Sequence, residues 1–284
     1  MAWTFTHDLD AFLTIAAPSA SDRPAENTLV LSITAALHRH GPHFYGDEPP
    51  LFGWWRSPDD VVDGTVVWTP PHAVQVGAVP DEAVAPLAEA FGELGVFGEL
   101  GVTAVNAMRS VADALTSGWP DRVTTGEQRL YRLAELILPS PAPPGRARVA
   151  TAGDRGLLVE WYRAFGRETG QPVDRVESTV DDRLSYGGLT LWESGGVPVS
   201  LAGATRPGAG TVRVAPVYTP PELRGRGYGA AVTAHLSGAA RDAGAGEVLL
   251  FTDLANPTSN GLYQRIGYRP VADRVVVARA LSRV

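Results

Sequence analysis

Between Asn27 and Leu37 the apolar residues Leu29, Ile33 and Leu37 recur every four positions, behind an asparagine suited to cap a helix start. That spacing predicts a helix. Two strand-like runs follow, Pro50 to Arg56 and Val61 to Trp68, separated by a polar turn at Ser57 to Asp60. A third run, His72 to Val79, leads to a predicted helix over Asp81 to Phe91, and residues 103–117 and 126–138 also read as helices. In the last of these, Leu130, Leu133, Ala134 and Ile137 form an apolar stripe. The later half predicts helices over 153–169 and 173–185, then a hairpin of Leu189 to Glu193 and Val197 to Thr205 around the turn Ser194-Gly195-Gly196. A strand over Thr211 to Tyr218, a helix to about Ala243, a strand over Val248 to Thr252, a short helix near Pro257 to Arg265 and a strand near Asp273 to Ala280 complete the pattern. Phe91 to Val96 repeats directly as Phe97 to Val102, which reads as a local duplication in a connecting segment.

The stretch Pro139-Ser140-Pro141-Ala142-Pro143-Pro144-Gly145 cannot sustain a helix or a central strand, and it predicts an extended linker. The expected organisation is a first domain over 1–139, a linker at 140–145 and a second domain over 146–284. Charge changes at the same place. Residues 1–145 hold seven arginines against eighteen acidic residues, net −11, whereas 146–284 hold seventeen against thirteen, net +4. An acidic chain of this kind disfavours nucleic acid as a partner, while the positive half suits an anionic ligand. The chain has no cysteine, which excludes disulfides, thiolate nucleophiles and cysteine zinc sites. His38, His40 and His43 are interrupted by Gly41-Pro42, so no metal is expected. There is no lysine either, hence no Walker lysine. No apolar run reaches the ~20 residues of a membrane helix, and the first residues lack a secretory pattern, so a soluble cytoplasmic protein is expected.

The chemistry concentrates in Val217-Tyr218-Thr219-Pro220-Pro221-Glu222-Leu223-Arg224-Gly225-Arg226-Gly227-Tyr228-Gly229-Ala230. A strand enters, glycine recurs at every second position, and an alanine-rich helix leaves. A turn without Cβ atoms can bring its amides against a ligand, and the first amides of a helix lack internal partners and carry partial positive charge. Such a helix start suits a pyrophosphate. A Rossmann fingerprint would sit early in a βαβ unit; here the preceding strand follows an antiparallel-looking hairpin.

Arg224, Gly227 and Gly229 match motif A of the GCN5-related N-acetyltransferases (GNAT), (Gln/Arg)-x-x-Gly-x-(Gly/Ala). Asp253 to Pro270 resembles the family's motif B, with Leu262-Tyr263 followed by Gly267-Tyr268 in place of the usual Gly-Phe. The resemblance covers about residues 146–284. It implies an α/β (α+β) fold with a mixed, strongly twisted sheet flanked by helices and a splayed pair of parallel strands. It also implies that Arg224, Gly225, Arg226, Gly227, Tyr228, Gly229 and Ala230 bind the pyrophosphate of acetyl-CoA, the co-substrate. Val217, Tyr218 and Thr219 would offer backbone groups to its pantetheine arm, with Asn256 and Asn260 lining the cofactor. Tyr263 would donate a proton to the departing thiolate. Asn256 also suits a helix cap before Pro257, and Leu262 and Ile266 should pack inward while Tyr263 faces a cleft. Glu193 and Asp253 are candidates for the base that deprotonates the amine acceptor, and a chain of waters would serve equally well.

The first half carries a fainter echo. Trp54-Trp55, a polar turn and Val61 to Trp68 parallel the later hairpin, and Thr69-Pro70-Pro71 parallels Thr219-Pro220-Pro221. No Arg-x-x-Gly-x-Gly follows; Asp81-Glu82 would put acid where phosphate should lie. The expectation is an acetyl-CoA-dependent N-acetyltransferase in tandem with a first half that is either a degenerate GNAT-like partner or an unrelated accessory domain. The alternative is a non-catalytic acyl-CoA sensor. The acceptor and the oligomeric state are not legible in the sequence.

Overall fold

In the computed structural model, which describes residues 2–94, 101–170 and 175–280, mixed sheets carry helices on both faces. Two units are distinguished: residues 1–130, 253–255 and 271–284, and residues 131–252 and 256–270.

The first unit contains β1 (Ala2–Thr6), α1 (Leu9–Ile15), α2 (Ala17–Asp22), α3 (Thr28–His40), β2 (Leu51–Arg56), β3 (Val62–Trp68), β4 (Val74–Val76), α4 (Asp81–Glu93), β5 (Ala104–Met108), α5 (Arg109–Leu115) and most of β6 (Arg122–Leu133). Strands β1 to β4 run antiparallel to their neighbours, whereas β4 and β5 are parallel, paired at Val74↔Val105 and Gln75↔Asn106. Alternation along each strand divides the core in two. Phe52, Trp54 and Val67 pack with Phe12, Val30 and Leu37 from the first three helices. Val66, Val74, Val76 and Val105 pack with Leu87, Phe91, Val111 and Leu115 from α4 and α5.

The second unit contains β7 (Arg146–Val149), α6 (Arg155–Thr169), α7 (Val176–Ser185), β8 (Leu189–Ser194), β9 (Val197–Ala204), β10 (Thr211–Tyr218), α8 (Tyr228–Asp242), β11 (Glu247–Asp253) and α9 (Pro257–Arg265). A last strand, β12 (Tyr268–Arg279), starts here, but its residues from Val271 onward belong to the first unit and pair with β5 from Arg274↔Met108 to Ala278↔Ala104. Strands lie in the order β6-β11-β10-β9-β8-β7. Leu158, Trp161, Tyr162 and Val180 from α6 and α7 pack on Leu189, Leu191, Leu201 and Tyr218. On the other face Val232, Leu236, Tyr263 and Ile266 from α8 and α9 pack on Val212, Val214, Val248 and Leu250. Burial on both faces explains why these strands read as nearly continuous apolar runs.

Two sequence expectations change. Residues 103–117 are not one helix: Val105 and Ala107 alternate inward along β5 before α5 begins. Residues 126–138 are not a helix at all. Val123, Thr124 and Thr125 favour extended backbone, Gly126 disfavours helix, and β6 results. The division between units falls between Leu130 and Tyr131, ahead of Pro139 to Gly145. Of the duplicated Phe91 to Val102, residues 95–100 lie outside the described residues.

Strand β7 is tied down by charge. Arg148 donates to both oxygens of Asp154 (2.7 and 2.7 Å) and to Glu193 (2.6 Å), and Asp154 also accepts the Thr151 N–H (2.7 Å) ahead of α6. The Arg148 guanidinium holds the Asp154 carboxyl well below the usual carboxylate range. A depressed carboxyl stabilises the fold above the unfolded-state value of about 4, and that contribution is lost as pH falls. Asp154→Ala is expected to cost about 1–3 kcal/mol at neutral pH, with the difference from wild type shrinking below about pH 4 in urea titrations.

Candidate active site

Strand β10 pairs with β11 in parallel from Thr211↔Glu247 to Val214↔Leu250, and the register ends there while β10 continues to Tyr218. On its other side the register against β9 shifts between Val214↔Ala204 and Val217↔Ala202, a bulge of one extra residue on β10. The two irregularities coincide, so β10 leaves β11 where it bulges. The end of β10 is fixed from β9: the buried Ser200 hydroxyl lies 3.1 Å from the Tyr218 carbonyl oxygen, to which it donates, and 2.8 Å from the Thr219 hydroxyl.

Beyond Thr219 the chain makes a short 3-10 turn at Pro221–Leu223 and then the glycine turn. Gly225 (φ 76°) and Gly227 (φ 83°) are both left-handed, a conformation that side chains with a Cβ adopt at a cost. Gly227 is the N-cap of α8 and gives no side-chain cap; the Ala231 N–H is bonded back to the Gly227 carbonyl (3.0 Å). By helix geometry the amides of Tyr228, Gly229 and Ala230 precede the first internal bond. A Cβ added at Gly225 would meet nothing within 4 Å, and one at Gly227 would meet only Pro143 carbons at 3.7–3.9 Å. The turn is therefore an open, uncapped helix start with partial positive charge, and the residues fit a pyrophosphate.

The two arginines of the turn are engaged. Arg224 donates through Nε to the Thr219 carbonyl (2.8 Å) and pairs with Glu168 of α6 (2.5 Å), while Glu168 also accepts the Tyr218 hydroxyl (3.1 Å). Arg226 donates to the Glu222 carbonyl (3.2 Å). Glu168 carries no signal in the sequence: it is one acid among polar residues at a helix end.

On α9, Asn256 caps the helix as expected, accepting the Ser259 N–H (3.0 Å). Asn260 donates to the Asn256 carbonyl (2.8 Å) and accepts the Tyr131 hydroxyl (2.9 Å), so its amide is used within the fold. Tyr263 does not stand in an open cleft: it is 8% exposed, inside the core beside Ile266 and edge-on to Tyr268, centroids 6.0 Å apart. Leu262, expected inward, is only partly buried. Burial pushes the Tyr263 hydroxyl well above the usual tyrosine range, so it keeps its proton at neutral pH.

The two carboxylates expected as bases are both occupied by protein donors. Glu193 accepts from Arg148 and lies 3.9 Å from Arg146, lining a recess with Gly145, Gly195 and Gly196. Asp253 accepts the Ala255 N–H (2.7 Å) and belongs to the first unit. Among the described residues no group of three or more His, Asp or Glu is placed to hold a metal ion, and no helix is long and apolar enough to cross a membrane.

The first unit repeats this plan. A hairpin (β2–β3) is followed by an antiparallel strand (β4), a helix (α4), a parallel strand (β5), a short helix and a further strand. The Thr69-Pro70-Pro71 parallel is one strand out of step, since it precedes β4 while Thr219-Pro220-Pro221 follows β10. The first unit's turn is filled. Asn27, expected as a helix cap, makes no cap bond to α3; its side chain accepts the Ala78 N–H (2.9 Å) and the Thr65 hydroxyl (3.0 Å), and Asp81 and Glu82 open α4. Where β4 and β5 part, the buried Arg274 guanidinium donates to the carbonyls of Val76 (2.7 Å) and Asn106 (2.9 Å).

Residues 157–268 match the model of the acetyltransferase (GNAT) family. The fold of nearly the whole chain is similar to that of a GNAT-family acetyltransferase from Colwellia psychrerythraea, with TM-score 0.63, 12% identity, and 98% of this chain and 99% of that one covered. It is also similar to a GCN5-related N-acetyltransferase from Sphaerobacter thermophilus (TM-score 0.58, 16% identity, 97% and 94% covered). A GCN5-related N-acetyltransferase from Kribbella flavida matches over 79% of this chain and 90% of its own (TM-score 0.54, 19% identity). No curated protein matches the chain in sequence.

Proposed function

Since the chain carries a GNAT-family acetyltransferase domain over residues 157–268, we propose that it moves acetyl from acetyl-CoA directly to an amine. The observation that supports this most is the open, uncapped turn at Gly225 to Ala230, next to the point where β10 leaves β11. In this reading the amides of Gly225 to Ala230 bind the pyrophosphate, and Val217 to Thr219 offer backbone groups to the pantetheine arm as a sheet edge receives a strand. Asn256 and Asn260 shape α9 beside it.

The amine nitrogen, neutral, attacks the thioester carbonyl. An oxyanion develops and is stabilised by a backbone amide beyond the bulge, at Val217 to Thr219. The carbon–sulfur bond breaks, Tyr263 protonates the leaving thiolate, and the amine's proton goes to Glu193 or Asp253, directly or through water. With no cysteine, the chain has no thiol for an acyl-enzyme route. A fall in kcat of about 100-fold or more in Glu193→Gln or in Asp253→Asn, with acetyl-CoA affinity kept, identifies the base; full activity in both variants leaves the proton to water.

The test uses the composition. A thiol reagent reads only liberated CoA, because the protein contributes no thiol. Release is expected to require both acetyl-CoA and an amine. Tight acetyl-CoA binding without turnover over a broad amine panel would instead make the chain a sensor. Because the first unit's turn is occupied by Asn27 and its strand opening by Arg274, calorimetry is expected to count one acetyl-CoA per chain; two equivalent sites would contradict the degenerate first half.

A further inference from the structure

The Arg183 guanidinium of α7 reaches the bulge of β10, where Nη1 donates to the Ala215 carbonyl. Its central carbon lies 6.0 Å from the centre of the buried Tyr162 ring. The approach depends on Gly203 of β9. A Cβ there would lie 2.7 Å from the Ala215 oxygen and 2.7 Å from Arg183 Nη1. The N–H of Ala204, the next residue, is taken by the Gly188 carbonyl (2.7 Å).

We infer that Arg183 is a positioning residue for acetyl transfer, clamping the Ala215 carbonyl so that the bulge presents the Val217 amide to the reacting carbonyl. This rests on the acetyltransferase reading above. A bulge leaves its extra residue outside the ladder, and a charged donor fixed on α7 gives the Ala215 carbonyl a partner there. Pro216 has no N–H, so Val217 carries the first amide after the clamped carbonyl. Turning the Ala215 peptide turns everything up to that amide. Misplacing a donor by about 1 Å costs rate on the order of 100-fold while binding elsewhere continues. The pyrophosphate turn lies ten residues further on and does not use Arg183.

The experiment compares Arg183→Ala and Arg183→Lys with wild type, using whichever amine the wild-type protein acetylates. Arg183→Ala is expected to lower kcat about 10- to 100-fold, with acetyl-CoA Kd, by calorimetry, unchanged. Arg183→Lys, which keeps a charged donor, is expected to recover part of the loss. Should the alanine variant not fold, Arg183→Gln carries the same readings. A kcat within twofold of wild type overturns the inference, and so does a loss of rate matched by an equal loss of acetyl-CoA affinity, which marks a mere prop of the fold. A crystal structure of the variant reads the bulge without turnover. The register shift between Val214 and Val217 should relax or the Ala215 carbonyl should turn; an unchanged bulge overturns the inference. A wild-type protein that acetylates no amine would sink the acetyltransferase reading instead, and the crystal structure then decides on Arg183 alone.

Discussion

Gly227→Glu is expected to raise the acetyl-CoA Kd at least about 100-fold, which corresponds to about 2.7 kcal/mol, in a chain that still folds. Two effects combine. At φ 83° any side chain with a Cβ is strained by about 1–2 kcal/mol. The new carboxylate also stands at the N-terminus of α8, where a diphosphate would bind. A pair of like unit charges about 4 Å apart repel by roughly 1 kcal/mol in bulk water and roughly 4 kcal/mol near a protein surface, and the diphosphate carries more than one. Gly227→Ala separates the two: it has the strain without the charge, and its loss should be nearer tenfold. The nearest atoms, the Pro143 carbons at 3.7 Å or more, leave room for the first side-chain atom, so the fold should survive. Calorimetry on variants with a cooperative unfolding transition is the measurement. Undiminished affinity in folded Gly227→Glu would remove the pyrophosphate from this turn.

Tyr263→Phe should lower kcat at least about 100-fold, within the usual range for a lost general acid, with little change in acetyl-CoA affinity. The substitution deletes one oxygen from a buried ring and leaves its contact with Tyr268, so the loss would be chemical. Burial raises the hydroxyl's proton affinity. The tyrosine therefore remains a proton donor through neutral pH, and no alkaline limb belonging to it should appear below about pH 10. Stopped assays with a thiol reagent give the rate. Wild-type kcat in the phenylalanine variant would leave Tyr263 as core packing.

How much of this was legible beforehand depended on whether local chemistry or distant partners decide each element. The glycine turn and the hairpin of β8 and β9 were legible because turn residues and strand alternation act locally. The Asn256 cap was legible for the same reason. Residues 126–138 were misread because Leu130, Leu133 and Ile137 fit a helical stripe, while the strand is selected by neighbours distant in sequence: Arg129 of β6 pairs bidentately with Asp273 of β12 (2.7 and 2.8 Å). β1 and β7 were missed because short edge strands carry little pattern. At the candidate site the glycine turn and the strand that leads to it were legible and the side chains packed around them were not. Glu168, Arg183 and Arg148 act through partners between 6 and 56 residues away, a relation that no spacing rule encodes. The spacing locates Tyr263 on its helix but not its burial, since burial depends on packing as well as on rotation around the helix.

Val275 and Val277 are core residues of the unit that also holds β1 to β5. During synthesis, then, the first unit cannot complete its core until the second, which precedes Val275 and Val277 in sequence, has been made. Folding of the first unit ahead of the second, the ordinary order for long chains, would leave that unit without Val275 and Val277 in its core.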